Sequence, residues 1–110
     1  MSERPKNTAT GYKKEKAVVD WLERHGWVII YEGGRGPADI IAKNGSTKWL
    51  IQVKYTRKTQ MDSSRFSKER VSLIKLAEDS RGTAILCYVV QDRVWFVSAK
   101  TDKTLKRGYL

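Results

Sequence analysis

Residues 49–58 read WLIQVKYTRK, and the assignment of this decapeptide decides the rest of the chain. It is rich in residues that favour strands. Alternation along a strand places Trp49, Ile51, Val53 and Tyr55 on one face and Leu50, Gln52, Lys54 and Thr56 on the other. Two polar groups, Gln52 and Lys54, are therefore aimed together. Burying an amide or an ammonium without partners costs about 2 kcal/mol or more, so a folded domain keeps such a pair only at a surface or at a site. The plain alternative is an edge strand with one solvated face.

Upstream of this strand, Asn44-Gly45 supplies the left-handed conformations of a tight hairpin turn, which makes ADIIAK (38–43) its antiparallel partner. GGRGP (33–37) breaks the chain before it, and WVIIYE (27–32) is β-branched and aromatic, hence another strand. From Tyr12 the pattern is helical: Val18, Leu22 and His25, with Val19 and Trp21 beside them, form one stripe. Thr8 or Thr10 caps its start and Gly26 its end. Downstream, Ser67 caps a second helix with Glu69 in its first turn. Val71, Ile74 and Ala77, with Leu73 and Leu76, face the core, and Arg81-Gly82 closes it.

TAILCYVV (83–90) and RVWFVSA (93–99) are two further strands joined at Gln91-Asp92. The order describes an α/β domain, a mixed central sheet of about five strands flanked by helices. The expected divisions are a flexible basic lead over 1–10, a folded domain over 11–99 and a basic tail over 100–110.

A chain of 110 residues buries roughly 60–65% of its unfolded surface and needs no staples. Its single cysteine, Cys87, falls in the apolar run TAILCYVV and reads as core; one Cys and one His leave no zinc site. No apolar run spans a membrane, and MSERPKNTATGY is not a signal peptide, so the expected setting is a reducing cytoplasm. The formal net charge of +10 points to a polyanion. Lys54, Arg57, Lys58, Arg65, Lys68, Arg70 and Lys75 fall in one stretch opposed by Asp62 and Glu69 alone. No basic amphipathic helix carries large exposed apolar residues, so nucleic acid is favoured over an anionic membrane.

The hairpin brings Asp39 beside Gln52 and Lys54. Glu15 lies at the buried edge of the first helix, three residues before Val18 and seven before Leu22. Two acids, an amide and a lysine make a plausible metal-and-water site. Oxygen ligands with open water positions suit Mg²⁺ or Mn²⁺, which polarises a phosphodiester and acidifies a bound water, while a nearby lysine stabilises the developing charge.

Pro37-Ala38-Asp39 and Gln52-Val53-Lys54 together resemble the PD-(D/E)XK nuclease motif. The likeness extends to GYKKEKAVVDWLERHGW, which is similar to the first helix of the archaeal Holliday junction resolvases, and through YTRK and the basic stretch behind it. It covers about residues 11–98. The resemblance implies a restriction-endonuclease-like fold, Glu15 as the helical acid near the metal, Asp39 as the central ligand, Val53 as a carbonyl ligand and Lys54 as the catalytic lysine. It also implies a homodimer cutting opposite strands of a four-way DNA junction.

Two positions depart from that pattern. Gln52 stands where the family usually has Glu, leaving an amide oxygen that can ligate a metal but carries no charge. The loop read as EGGRG lacks the family's Ser, and Glu32 at its start is a candidate replacement carboxylate. Expected DNA contacts are Lys13, Lys14, Arg35, Arg57, Lys58, Arg65, Lys68 and Arg70, with Arg35 reaching a phosphate from a loop over the site. Competing readings are a duplex restriction or repair nuclease on the same scaffold, and a non-catalytic binder of branched DNA with a degenerate site.

Overall fold

Nineteen residues, Lys6–Arg24, wind into helix α1, which begins earlier than its apolar stripe does. Thr8 and Thr10 thus lie inside the helix rather than capping it. The computed structural model describes residues 6–33, 36–55 and 67–110, with side chains from residue 15 onward apart from that of Ser67. Val18, Val19, Trp21 and Leu22 are buried, whereas His25 is exposed and stacks on Trp21, 3.7 Å between ring centroids, with its Nδ1 2.6 Å from the Trp21 carbonyl. Gly26 ends the helix at φ 88°, which lets the Trp27 N–H return to the Leu22 carbonyl at 2.9 Å.

Strands β1 (Val28–Glu32), β2 (Ile40–Asn44) and β3 (Thr47–Tyr55) follow as an antiparallel meander. The β2–β3 turn falls one residue later than read from sequence. Asn44 still pairs with Thr47, so Gly45 and Ser46 alone form the loop, and only Gly45 takes a positive φ, 63°. Helix α2 (Ser67–Asp79) then carries the chain back across the sheet, so that β4 (Thr83–Val90) lies parallel to β3. Strands β5 (Arg93–Ser98) and β6 (Thr104–Tyr109) complete an antiparallel run.

The sheet therefore has six strands among the described residues, not five, in the order of the chain, β1-β2-β3-β4-β5-β6. The sixth falls in the stretch expected as a tail. β3 is internal, paired to β2 and β4, so the solvated-edge account of Gln52 and Lys54 does not hold.

The two faces carry separate cores. On one, α1 packs through Val18, Trp21 and Leu22 on Ile40, Trp49, Ile51, Val53, Cys87 and Phe96. On the other, α2 packs through Leu73 and Ala77 on Leu50, Leu86 and Tyr88. β4 is covered on both sides and buried from Ala84 to Val90, which is why TAILCYVV is a continuous apolar run without alternation. Cys87 is one of these core residues, fully buried, with its thiol pushed well above the ordinary range by desolvation.

The inward stripe of α2 is Arg70, Leu73, Ile74 and Ala77. Val71 is 66% exposed, because two residues before Leu73 is roughly 200° around the helix. At the far edge, a Cβ on Gly108 would stand 3.0 Å from Trp21 Nε1, so any larger residue there would press the buried indole of α1 aside by a few tenths of an ångström. Among the described residues no helix is long and apolar enough to cross a membrane.

Candidate active site

The β2–β3 ladder ends at Ile40 opposite Ile51, and Asp39 sits one residue beyond. Its N–H donates to the Ile51 carbonyl at 2.8 Å, and its carbonyl accepts from the Gly33 N–H at 2.9 Å. Its carboxylate does what the next residue of β2 would do in a longer ladder: Oδ2 accepts the Val53 N–H at 2.8 Å. The N–H and C=O of one strand residue point to the same side. The Val53 carbonyl consequently faces the same opening beyond the end of β2 as the Asp39 carboxylate.

Gln52 and Lys54 project from β3 toward the α2 layer, opposite Leu86 and Tyr88 of β4. The Gln52 Oε1 is buried with no hydrogen-bond partner among the described residues. An uncompensated amide oxygen is costly to keep dry. Lys54 Nζ is ion-paired to Glu69 in the first turn of α2, and the lysine side chain is only 16% exposed. This contact was not anticipated from sequence, where Glu69 reads simply as an acid at the positive end of a helix dipole. It follows from the crossover: an α2 that returns the chain to a parallel β4 must start over the C-terminal end of β3, where Lys54 lies.

Asp39 lies between the two helical layers. Desolvation raises its carboxyl above the usual range and the Glu69 charge adds to this, against the Val53 N–H and the Lys54 ammonium, which lower it. Across the sheet, Glu15 on α1 is raised by desolvation first, then by Asp39 and Glu32. Glu32, exposed at the end of β1, thus belongs to the same electrostatic neighbourhood. The Tyr55 hydroxyl is held strongly against ionisation, mainly by desolvation and then by Glu15 and Asp39, while a hydrogen bond with the Glu15 backbone opposes the shift. Carboxylates from two layers are gathered around one end of the sheet at a cost in stability.

That cost has a testable sign. A carboxyl whose pKa is raised on folding contributes stability that is present below about pH 4 and lost as pH rises through its folded value. Glu15→Gln removes a charge that the fold disfavours. In chelating buffer the variant is expected to melt above the wild-type protein at pH 7 to 8, with the difference closing below about pH 4. Thermal unfolding over that range checks it, and a pH-independent difference would remove the electrostatic explanation.

The structure thus brings Glu15, Asp39, Val53 and Lys54 to one end of β3, with Gln52 beside them. Residues 6–109 match the family of archaeal Holliday junction resolvases, Hjc. The chain belongs to the Hjc family. Its fold is similar to that of Archaeoglobus fulgidus Hjc, a Holliday junction resolvase, with a TM-score of 0.71 at 22% identity over 89% of this chain and 80% of that one. Two UPF0102 proteins of Neisseria meningitidis, from serogroups C and A, are each 26% identical over 105 residues, which is 93% of this chain and 87% of theirs.

Within this Hjc-family chain the expected DNA contacts divide. Arg35, Arg57, Lys58 and Arg65 lie outside the described residues, as do the side chains of Lys13 and Lys14. Lys68 is exposed on the first turn of α2. Arg70 is turned inward at the helix stripe and bonded through Nη1 to Asp102 Oδ1 at 2.8 Å. Its Nε and Nη2 are buried without partners among the described residues. It pins α2 to the β5–β6 turn instead of extending toward solvent.

Proposed function

We propose that this Hjc-family protein is a divalent-metal-dependent endodeoxyribonuclease that cuts four-way DNA junctions as a homodimer. The observation that carries the reading is the convergence of the Asp39 carboxylate, the Val53 carbonyl and Lys54 at the end of the β2–β3 ladder.

A hard divalent cation fits the donors present. Mg²⁺ and Mn²⁺ take oxygen ligands and retain several waters. The buried Gln52 Oε1, without a partner among the described residues, is an oxygen in want of a donor or a cation. Among the described residues no group of three or more His, Cys, Asp or Glu forms a metal cluster; the proposed set is the Asp39 carboxylate, the Gln52 amide oxygen and the Val53 carbonyl, with the Glu15 carboxylate reaching the ion from α1. Bound there, the ion would supply Lewis-acid activation of a water and of the scissile phosphate.

The chain's own groups do the rest. Asp39 fixes the site through its bond to Val53, and Glu15 stands on the α1 side to orient a water. Lys54 presents an ammonium to the negative charge that develops on the phosphate. Glu69 holds that ammonium near Asp39.

The deciding experiment is cleavage of a labelled four-way junction beside a linear duplex, with Mg²⁺, Mn²⁺ or chelator. Symmetric nicks in the junction alone support the reading; equal cutting of linear DNA supports a duplex nuclease. The uncharged Gln52 favours one second reading, a junction-binding protein without catalysis, for which tight binding with no cutting under either metal is the signature. Binding in all cases should weaken with salt, log K falling by about 0.9 per phosphate neutralised for each tenfold rise in salt. Gln52→Glu is expected to tighten Mn²⁺ binding about tenfold or more, since it restores a full charge to the donor set. An unchanged calorimetric titration would place residue 52 outside the metal's ligand shell.

A further inference from the structure

Across the face of the sheet that carries Lys54, the register defines a row: Lys54 opposite Tyr88, Tyr88 opposite Trp95, and Trp95 opposite Arg107. Three strand spacings of about 4.8 Å put Arg107 roughly 14 Å from the lysine. One step further along β5 and β6, Arg93 pairs with Tyr109, its guanidinium carbon 5.8 Å from the ring centroid.

The core under α2 reaches Trp95 but does not cover it completely. Tyr109 is 65% exposed. Two shallow grooves flank the Trp95–Arg107 ridge. One of about 350 Å³ is bounded by Arg93, Trp95, Arg107 and Tyr109. The other, of about 380 Å³, is bounded by Trp95, Leu105, Lys106 and Arg107. Neither Arg93 nor Arg107 is ion-paired among the described residues, while the nearby Asp102 is engaged by Arg70. The local balance is cationic, with Arg93, Lys106 and Arg107 exposed against Asp92.

Cations alone suit any phosphate backbone. Aromatic faces beside them suit something narrower, because the bases of an intact duplex are stacked on one another and unavailable, whereas unpaired bases stack on exposed rings in a sequence-tolerant way. We propose that Arg93, Trp95, Arg107 and Tyr109 form a platform for single-stranded DNA, holding unpaired nucleotides that lead away from a scissile phosphate at Lys54. The inference rests on the nuclease reading for the position of that phosphate. Tyr88 between them is buried under α2, so the strand must pass around the helix and the separation sets a minimum of roughly four nucleotides at about 3.4 Å each.

The test measures binding by fluorescence anisotropy in chelator, comparing a blunt duplex with the same duplex carrying a thymidine tail. The wild-type chain is expected to prefer the tailed DNA by about tenfold or more. Arg107→Gln combined with Tyr109→Ala, both at exposed positions, should reduce that preference to about twofold or less, a ratio that cancels the general effect of lost charge. If this double variant melts early, Tyr109→Leu alone removes the ring while keeping an apolar side chain, and the preference should still fall severalfold.

No preference in the wild-type protein overturns the proposal, as does full preference in a folded variant. A variant that changes oligomeric state by light scattering while keeping its preference also overturns it, assigning the surface to contact between copies. Because binding is read without cleavage, the two readings fail separately. Tail preference without cutting under any metal sinks the nuclease and leaves the platform; junction cutting without tail preference does the reverse.

Discussion

Lys54→Ala is expected to slow junction cleavage by roughly 10²–10³-fold, the scale for deleting one preorganised donor to a developing negative charge. Junction affinity should change by about threefold or less, because one phosphate contact among many is lost. Asp39→Asn is expected to be at least as severe. It keeps an oxygen able to accept the Val53 N–H, so the ladder end survives while the charge facing the site is gone. Single-turnover cleavage and chelator-based binding assays on the same preparations separate the two effects. Cutting within about tenfold of wild type in either variant would end the assignment of both residues.

Glu69→Gln divides that prediction further, since it leaves Lys54 in place but removes its charged partner. A reduced rate at unchanged affinity is what positioning of the ammonium requires.

Phe96→Ala is expected to be the most damaging single change to stability. The ring is fully buried and lies between Trp21 on α1, 4.9 Å away, and Trp49 on β3, 5.5 Å away; Trp49 in turn meets Trp27 at 4.3 Å. It therefore links β5 to the first helix and to the strand that carries the site. Truncating a buried aromatic costs about 3–5 kcal/mol, out of the 5–15 kcal/mol typical of a domain. The urea midpoint should fall with an unchanged slope, and the melting temperature by about 15 °C or more. A loss below about 1 kcal/mol would mean the aromatic cluster repacks around the gap.

Much of this arrangement is legible in the sequence because it depends on local pattern. Alternation along 49–55 sets which side chains share a face, Asn44-Gly45 marks the hairpin, and together they place Asp39 beside Gln52 and Lys54; Val53 enters only through the family resemblance. The unbroken apolar run of β4 marks it as central. Other features turn on partners distant in the chain. β6 is hidden because its residues are exposed almost throughout, and TLKRGY has no buried face to impose a period. Its basic side chains are also what an unpaired sheet edge uses to discourage association. The extension of α1 to Lys6 runs through Asn7, Thr8, Thr10 and Gly11, all poor helix formers, so propensity alone does not announce it. Arg70 and Val71 exchange their expected exposures because the inward stripe of α2 is set by the sheet beneath it. Glu69 joins the site only through the crossover geometry, which no spacing within the helix reveals.

Strand order that coincides with chain order has a kinetic consequence. Among the described residues every strand finds its sheet neighbour in the next strand along the polypeptide, and four of the five pairings are antiparallel. Loop closures within the two meanders are short and entropically cheap, so each half can zip by itself on the fast side for a β-rich chain. The remaining parallel seam between β3 and β4 must wait for α2 to dock. That late joint is also where Lys54 meets Glu69, so assembly of this end of the sheet reports completion of the whole.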